Sequence, residues 1–565
     1  MNGGPLSAKT PLAGWFEPHS GPWVAQFLTH WLGQLGQSDP SRFFQPKLQE
    51  IPDPFLLKGM ALGVELLGQT LLAGKKVLVL GDYDVDGVTG TALLLRFLTQ
   101  IGFEPDWMIP NRFGEGYGLT QKVVGRLIER APDLVVTVDN GVAARTEVAQ
   151  LEKAGIKVLV TDHHQWVPEQ SPVGLVINPK QPGCLFPEKE VSGVGVAFLL
   201  LMGLRKYLRD RGFWGLSKEP NLLENLDLVA LGTVADQVPL VGLNRLFTQQ
   251  GLEQMHRKLM EPGCFGAFTY LKVFAAQSQL ARINAETLGF RLGPLLNAAG
   301  RMEDASLALR FLVSPDEPTA RHLLGELERL NGMRKKKQVQ MLKKAKELAY
   351  AQKGNSQALL VFDPEFHEGL LGLVASRLVE EFGLPVLVGT LGEEGQVKCS
   401  GRSPDLDLVA LLESCQGLLT RFGGHAKAAG CQLEPQKLAE LQTRLAQNAA
   451  TGPLAAGPRL AADLELNWQM IGPELTGGLK RLEPFGQGNP KPVFLVQNLR
   501  LGQPRVMGQN HLKWELRPGV ELIRWEGAAE GMGPGEYQLA VTLGENHFNG
   551  KVSLQGVIEK YFQTA

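Results

Sequence analysis

The chain has 565 residues, 57 basic against 58 acidic for a formal charge of −1, with 44% hydrophobic and 20% charged residues, a balance that excludes extended disorder, a collagen-like repeat and a chain-long coiled coil. At roughly 100–200 residues per domain about three or four domains are expected, and no overall charge excess argues for a polyanionic partner, although a local basic patch could. Cys184, Cys264, Cys399, Cys415 and Cys431 form no CxxC pair, which gives neither a disulfide framework nor a thiolate zinc site; with no apolar run of the roughly 18 residues a membrane span needs and no basic-then-apolar leader, a soluble cytoplasmic protein without membrane association is expected.

Residues 1–70 read as an irregular lead rich in Trp, Pro and Gly, with an amphipathic helix over about 55–72. Over 71–316, short wholly apolar runs alternate with helical stretches: Val77-Leu78-Val79-Leu80, a helix at 90–98, Leu134-Val135-Val136, a helix at 143–154, and Val158-Leu159-Val160. Runs apolar at every position belong to a parallel sheet covered on both faces, so the fold class is α/β. Residues 317–353 are dense in helix formers, with Leu323, Leu327, Leu330 and Leu342 at helical spacings, and read as one connecting helix. Its basic cluster, Arg334-Lys335-Lys336-Lys337 with Lys343, Lys344 and Lys346, is either a solvated face or a phosphate-facing wall. A second α/β unit over 354–453 opens with Ala358-Leu359-Leu360-Val361-Phe362, a helix at 371–382 and a strand at 385–388. From 454 to 565 short strands broken by Gly and Pro predict a small β-barrel.

Chemistry is concentrated where the strands end. The first run leads into Gly81-Asp82-Tyr83-Asp84-Val85-Asp86-Gly87, the second into Asp139-Asn140-Gly141 and the third into Asp162-His163-His164. Ligands of open α/β sheets lie outside the carboxyl ends of the strands, so these groups share one crevice. The apolar stretch 228–235, closing on Asp236, is a fourth contributor. Singly, each acid has a bland reading as a turn former or helix cap, and Asp84-Val85-Asp86-Gly87 lacks the further oxygen ligands of a calcium loop. Together, carboxylates with no lysine or arginine among them repel one another unless cations lie between. Oxygen donors with an imidazole select Mg²⁺ or Mn²⁺ over structural zinc. Two such ions about 3.5–4 Å apart would activate water against a phosphodiester.

The segments Asp84-Val85-Asp86, Asp139-Asn140-Gly141, Asp162-His163-His164 and Val234-Ala235-Asp236 resemble the motifs of the DHH phosphoesterase family. Pro110-Asn111-Arg112-Phe113, Gly116-Tyr117-Gly118-Leu119 and Leu296-Asn297-Ala298-Ala299-Gly300-Arg301 narrow the likeness, which covers nearly everything after Ile51, to its single-strand-specific exonuclease branch. The resemblance implies two divalent cations, Mn²⁺ or Mg²⁺, held by Asp82, Asp84, Asp86, Asp139, His163 and Asp236. His164 then stands beside the reacting phosphate or just behind the ligands, and completes the implied catalytic set of Asp84, Asp86, Asp139, His163, His164 and Asp236. Leu80 departs from the pattern, because many smaller DHH phosphatases place a histidine ligand there; Asp82 is the nearest substitute.

The second unit resembles the DHH-associated domain through Phe366-His367-Glu368-Gly369, Ser400-Gly401-Arg402-Ser403 and the stretch 422–430. The resemblance implies substrate contacts from Arg112, Tyr117, Asn297, Arg301, Ser400, Arg402, Ser403, Gly424 and His425, glycine letting backbone approach a phosphate and arginine and histidine donating to it. From spacing alone, Gly423-Gly424 is a plain turn and the arginines are surface or ion-pair residues. The tail, with Pro484-Phe485-Gly486-Gln487-Gly488-Asn489-Pro490, resembles the OB-fold of the same branch. In it Trp514, Trp525 and Phe548, beside Lys513, Arg517 and Arg524, are equally stacking or core residues.

The implied activity is metal-dependent hydrolysis of single-stranded DNA from its 5′ end, in repair and recombination. The expected partners of such a monomer are single-stranded DNA, a single-strand-binding protein and a helicase. Two alternatives stand beside it. A DHH phosphodiesterase acting on short oligonucleotides or cyclic dinucleotides would need no barrel, and an inactive single-strand-binding replication scaffold would show eroded ligands. Read as a separate domain, the tail should be dispensable for the chemistry.

Overall fold

Strands β1 (Val77–Gly81), β2 (Asp106–Met108), β3 (Leu134–Val138), β4 (Lys157–Thr161) and β5 (Leu175–Ile177) form one parallel sheet in the order β2-β1-β3-β4-β5. The computed structural model describes residues 22–36, 40–172, 174–215, 218–261, 268–280, 282–354, 356–392, 395–449, 462–508, 510–528, 530–548 and 551–564. Alternate side chains of the strands feed two layers. Val77, Val79, Leu134 and Val136 pack with helices Met60–Leu72, Val85–Gln100 and Gly193–Asp210, while Leu78, Leu80, Val135 and Val158 pack with Gln121–Arg130 and Arg145–Lys153. Burial from both sides is why the runs are apolar throughout instead of alternating.

Two local readings change, and a third stretch, left without an assigned element, is settled. The helix expected over 55–72 is a 3₁₀ turn at Pro54–Leu56 and a helix Met60–Leu72, parted at Gly59, whose φ is 86°. The helix expected at 90–98 begins at Val85, because the Asp84 carboxylate caps it by accepting from the Asp86 and Gly87 amides at 3.0 and 3.1 Å. The apolar stretch before Asp236 is a helix, Leu226–Ala235, buried from Leu226 to Thr233 and therefore without an amphipathic period.

Glu317–Lys353 is a single helix of 37 residues. Its first half gives Ala320, Leu323, Leu324, Leu327 and Leu330 to the core of the first sheet, and its second half gives Met341, Ala345 and Ala349 to that of the next. The second sheet comprises β6 (Leu359–Phe362), β7 (Val386–Leu391), β8 (Val397–Arg402), β9 (Arg421–His425) and β10 (Ala428–Leu433) in the order β6-β7-β8-β10-β9. Only β6 and β7 run parallel. Gly423-Gly424 lie inside β9, and the hairpin turns at Ala426-Lys427 instead.

The tail contributes β11 (Leu464–Glu465), β12 (Val493–Leu501), β13 (Arg505–Met507), β14 (His511–Arg517), β15 (Val520–Arg524), β16 (Gly535–Phe548) and β17 (Lys551–Thr564). Their order is β11-β12-β16-β17-β15-β14-β13. Bulges in β12 and β17 curl this sheet, and Trp514 Nε1 donates to Gly502 O at 3.0 Å across the curl. Among the described residues it does not close into the expected barrel: the end strands β11 and β13 are 2 and 3 residues long and do not pair with each other.

The lead belongs to the tail. Helix Pro22–Gln34 puts Val24, Phe27, Leu28 and Trp31 into the core of the third sheet, where Phe27 lies 5.4 Å from Phe494, ring to ring. Arg245, on helix Gly242–Met260 and 1% exposed, joins three parts of the chain. It donates to Phe43 O at 2.9 Å, Leu482 O at 3.1 Å and Glu483 O at 2.8 Å and covers the Phe43 ring at 3.7 Å. Among the described residues, no single helix is long and apolar enough to cross a membrane.

Candidate active site

Because β1, β3 and β4 are neighbours, their carboxyl ends set Asp82, Asp84, Asp139 and Asp162-His163-His164 side by side. Asp236 arrives from the C-terminal end of the helix Leu226–Ala235. Ligand atoms of Asp82, Asp84 and Asp139 lie within 4.8 Å of one another, as do those of Asp86, His163 and Asp236, and those of Asp139, His163 and His164. His163 Nε2 is 3.1 Å from Asp139 Oδ1, 3.6 Å from Asp236 Oδ2 and 3.8 Å from Asp86 Oδ2. Two centres that meet between Asp139 and His163 are what this geometry offers. Leu80, fully buried in the core, does not enter the crevice, whereas Asp82 does.

Backbone groups hold the acids in place. Asp86 accepts from the Gly193 amide at 2.6 Å and the Val194 amide at 2.8 Å, the first turn of a helix capped by Ser192. Residue 193 has to be glycine, since a Cβ there would stand 2.7 Å from Asp139 Oδ1. Asp139 itself sits at φ 63°, and Asn140 braces the turn by donating to Leu80 O and Val138 O at 3.1 and 2.9 Å.

Burial, then the charge of Asp84, pushes the Asp82 carboxyl well up and that of Asp86 up to about 7. Burial and the neighbouring Asp86 do the same to Asp139 and Asp236. Both oxygens of Asp82, Oδ1 of Asp139 and both ring nitrogens of His163 are buried with no hydrogen-bond partner among the described residues. Each such orphan costs about 1–3 kcal/mol, and divalent cations bound among them would remove that cost. The donor set therefore fits a hard or borderline cation. Burial and the adjacent His164 press His163 down to about 3, leaving the neutral imidazole that ligates metals.

His164 behaves oppositely. Burial would lower it, but Asp162, 2.7 Å from Nδ1, raises it to about 9. Asp162 accepts from the amides of Val142, His163 and His164 at 2.8, 2.7 and 3.1 Å. Burial would raise it, yet His164 and these bonds bring it down to about 2. Asp162 thus orients both histidines, a role its sequence position alone did not reveal.

Facing the acids is a wall of cations. Tyr117 hydroxyl is 3.2 Å from both Asp139 O and His164 Nε2, its ring lies edge-on to Tyr83 at 5.9 Å, and Arg112 covers Tyr83 at 5.2 Å. Arg301 follows half-buried Asn297 by one turn of the helix Gly293–Met302 and donates to Gly369 O at 3.3 Å. Burial, then Arg112, Arg334 and Arg402, presses it down to about 10. Ser400 and Arg402 share one face of β8, and Arg402 Nη1 donates to Gly401 O at 2.8 Å. Arg334 is held by Asn331 and Gln338 at 3.0 and 2.8 Å. None of these four arginines forms an ion pair among the described residues. The basic helix is therefore divided: Arg334 faces the wall, while Lys335, Lys336 and Lys343 are exposed and Lys344 and Lys346 pair with Asp363 and Glu381.

The second unit also reaches the crevice, since His425, next to Gly424 at φ 138°, stacks 6.4 Å from His164, ring to ring. Ser403 is buried and its Oγ accepts from Leu406 N at 3.0 Å, which makes it a loop former in this state. In the tail Trp514 is core at 4% exposure and Trp525 is open at 49%; the side chain of Phe548 lies outside the described residues. Lys513 pairs with Glu521, Arg524 with Glu530, and Arg517 donates to Gln469 O and Ile471 O, so the expected basic groove is internally engaged.

Family models match residues 76–233 (DHH family, N-terminal domain), 333–451 (DHHA1 domain) and 462–560 (RecJ OB domain). The single-stranded-DNA-specific exonuclease RecJ of Dickeya dadantii is 37% identical over 541 residues, 91% of this chain and 92% of its own length. That of Escherichia coli is 36% identical over 529 residues, 89% and 90% of the two lengths. The crystal structure of RecJ in complex with Mn²⁺ from Thermus thermophilus matches with a TM-score of 0.81 at 32% identity, covering 98% of this chain and 78% of that one. Identity at this level across most of both lengths shows that the chain belongs to the RecJ family of single-stranded-DNA-specific exonucleases.

Proposed function

We propose that this chain is a metal-dependent exonuclease that removes nucleotides from the 5′ end of single-stranded DNA in repair and recombination. The observation that carries the reading is the pairing of two unneutralised clusters: buried acids with orphaned ligand atoms on one side, four arginines without carboxylates on the other. Asp86, His163 and Asp236 would hold one cation and Asp82, Asp84 and Asp139 a second, with Asp139 close enough to His163 to be shared. When bound, the cations supply Lewis-acid activation of water and neutralise charge at the leaving oxygen. His164, kept protonated by Asp162 and oriented by Tyr117, places its positive charge beside the reacting phosphate. Arg112, Arg301, Arg402 and Ser400 grip the terminal phosphate, with Asn297, Gly424 and His425 lining the approach and Ser403 shaping the loop behind Arg402.

In this reading residues 71–316 carry the chemistry, 354–453 bind substrate beyond the connecting helix 317–353, and 454–565 engage the strand. The protein works as a cytoplasmic monomer, beside a single-strand-binding protein and a helicase that expose its substrate. The test is one assay with 5′- and 3′-labelled single strands, duplex and cyclic dinucleotide in Mg²⁺, Mn²⁺ or chelator. Mononucleotides released first from the 5′ end of single strands, and nothing in chelator, are expected. Preference for the dinucleotide would make the chain a small-molecule phosphodiesterase, and binding without turnover would make it a scaffold.

A further inference from the structure

The loop Pro484-Phe485-Gly486-Gln487-Gly488-Asn489-Pro490 has no part in the chemistry above, yet it touches the segment that delivers Asp236. After Asp236 the chain runs through Gln237, at φ 62°, to Pro239 and Leu240. Leu240 N donates to Gln487 O at 2.7 Å. The contact is close: a Cβ on Gly486 would lie 2.7 Å from Leu240 Cδ1, displacing that side chain, and Gly488, at φ 72°, would set one 3.0 Å from Pro239 Cβ. The loop is braced from within, since Asn489 is fully buried and donates to Leu482 O and Pro484 O at 2.8 Å each. Arg245 grips Leu482 O and Glu483 O at the loop's entrance.

The other side of the segment is supported from the catalytic unit. Asn244 Nδ2 donates to Pro239 O at 3.0 Å and to Glu190 O at 2.6 Å, and Glu190 lies just before Ser192, the cap of the helix whose first amides hold Asp86. Such support has a purpose. Asp236 Oδ2 lies 3.6 Å from His163 Nε2 in a cluster with Asp86, so a small shift of its backbone would change the spacing of these ligand atoms.

We propose that the glycine loop 484–490 of the C-terminal unit is a positioning element that holds the arm of Asp236 in the metal crevice, so that this unit supports hydrolysis by contact with the catalytic unit as well as by contact with DNA. The proposal rests on Asp236 being a metal ligand, as read above.

The full-length protein tests it. Gly486→Ala drives a methyl into Leu240, and Leu240→Ala removes the side chain on which the loop rests. Each single change should lower kcat on a short oligonucleotide by about tenfold, with KM unchanged, since small misplacements at a reacting centre are costly. Each should also raise the Kd for Mn²⁺, read without substrate from the electron paramagnetic resonance of the free ion. In Gly486→Ala/Leu240→Ala the added methyl fills the space vacated, and both readouts should return to within about threefold of wild type, the signature of direct coupling. Asp236→Asn is titrated alongside: unchanged Mn²⁺ binding there would overturn the metal reading itself. If Asp236→Asn loses Mn²⁺ while the single loop variants, folded by thermal melt, keep kcat and Mn²⁺ affinity within about twofold, the positioning role is wrong. It is equally wrong if the double variant is no better than the worse single. Should Gly486→Ala fail to fold, Leu240→Ala and the double variant carry the same comparison.

Discussion

The crevice and the arginine wall are opposites in charge and differ also in kind. Asp82, Asp86, Asp139 and Asp236 are pushed up by burial and mutual repulsion into a range where protons and metal ions decide their charge. Arg301, pressed down only to about 10, keeps its proton at any working pH. One side of the site is therefore adjustable and the other constant, with Tyr83 and Tyr117 between them. The difference separates what each side can do. In the proposed function the constant side docks a phosphate before any metal arrives, whereas the adjustable side becomes competent once cations stabilise its ionised carboxylates.

The sharpest way to break the comparison is Asp139→Asn, which should lower turnover by about 10²- to 10³-fold, the scale for removing a group that stabilises transition-state charge. Asn is the cleaner replacement, because the φ of 63° at this position suits Asn and strains Ala. In chelator its melting temperature should be no lower than wild type, since a repelling charge is gone; full activity in excess Mn²⁺ would remove Asp139 from the centre. Next in size, Arg402→Ala should raise KM about 10- to 100-fold for strands with a 5′ phosphate, in keeping with about 1.5–3 kcal/mol for a charged hydrogen bond, and leave unphosphorylated strands little changed. Equal losses on both would place Arg402 along the general backbone path.

A smaller effect distinguishes adjustable from constant charge directly. The folded pKa values of Asp86, about 7, and His164, about 9, are raised, so the stability each contributes is present below its unfolded value and lost as pH rises through the folded one. His163, at about 3, acts in the opposite sense only below its ordinary 6.5. Denaturant melts in chelator should therefore show stability falling by roughly 1 kcal/mol or more from pH 7 to 9. That fall belongs to His164, whose window runs from 6.5 to about 9, whereas the contribution of Asp86 is already lost by about 7; Mn²⁺ should flatten the slope, and an unchanged slope would mean that His164 does not sense the ion. The smallest effect belongs to the tail: Trp525→Ala should weaken binding of long strands by about 1 kcal/mol through lost stacking, with no change for a trinucleotide. An equal loss on both lengths would bring Trp525 to the catalytic unit.

What could be read in advance followed local physical rules. The three central strands of the first sheet were legible because burial on both faces leaves runs such as Val77 to Leu80 wholly apolar, and the parallel-sheet rule then gathered Asp82, Asp139 and His163 at one edge; β2 and β5, of three residues each, were too short to read. The helix bearing Asp236 was not, since a helix packed all round has no period. Strands β8 and β9 were hidden for another reason: Lys398, Ser400 and Arg402, and Arg421, Gly423 and His425, give up strand-forming side chains to serve a polar surface. The brace at Asn244, the amides of Gly193 and Val194 and the dependence of both histidines on Asp162 are tertiary, with partners far along the chain or set by rotamer.

The helix Pro22–Gln34 finds its core beside Phe494, more than four hundred residues further along the sequence. During synthesis Phe27 and Trp31 leave the ribosome long before Leu475, Leu479 and Phe494 exist, and at about 5–20 residues per second the interval lasts tens of seconds. Through that interval the nascent chain carries an apolar face with no native partner, a natural site for a chaperone to hold. A frameshift or premature stop anywhere between the two segments would leave this apolar helix exposed without its partner and mark the product for proteolysis.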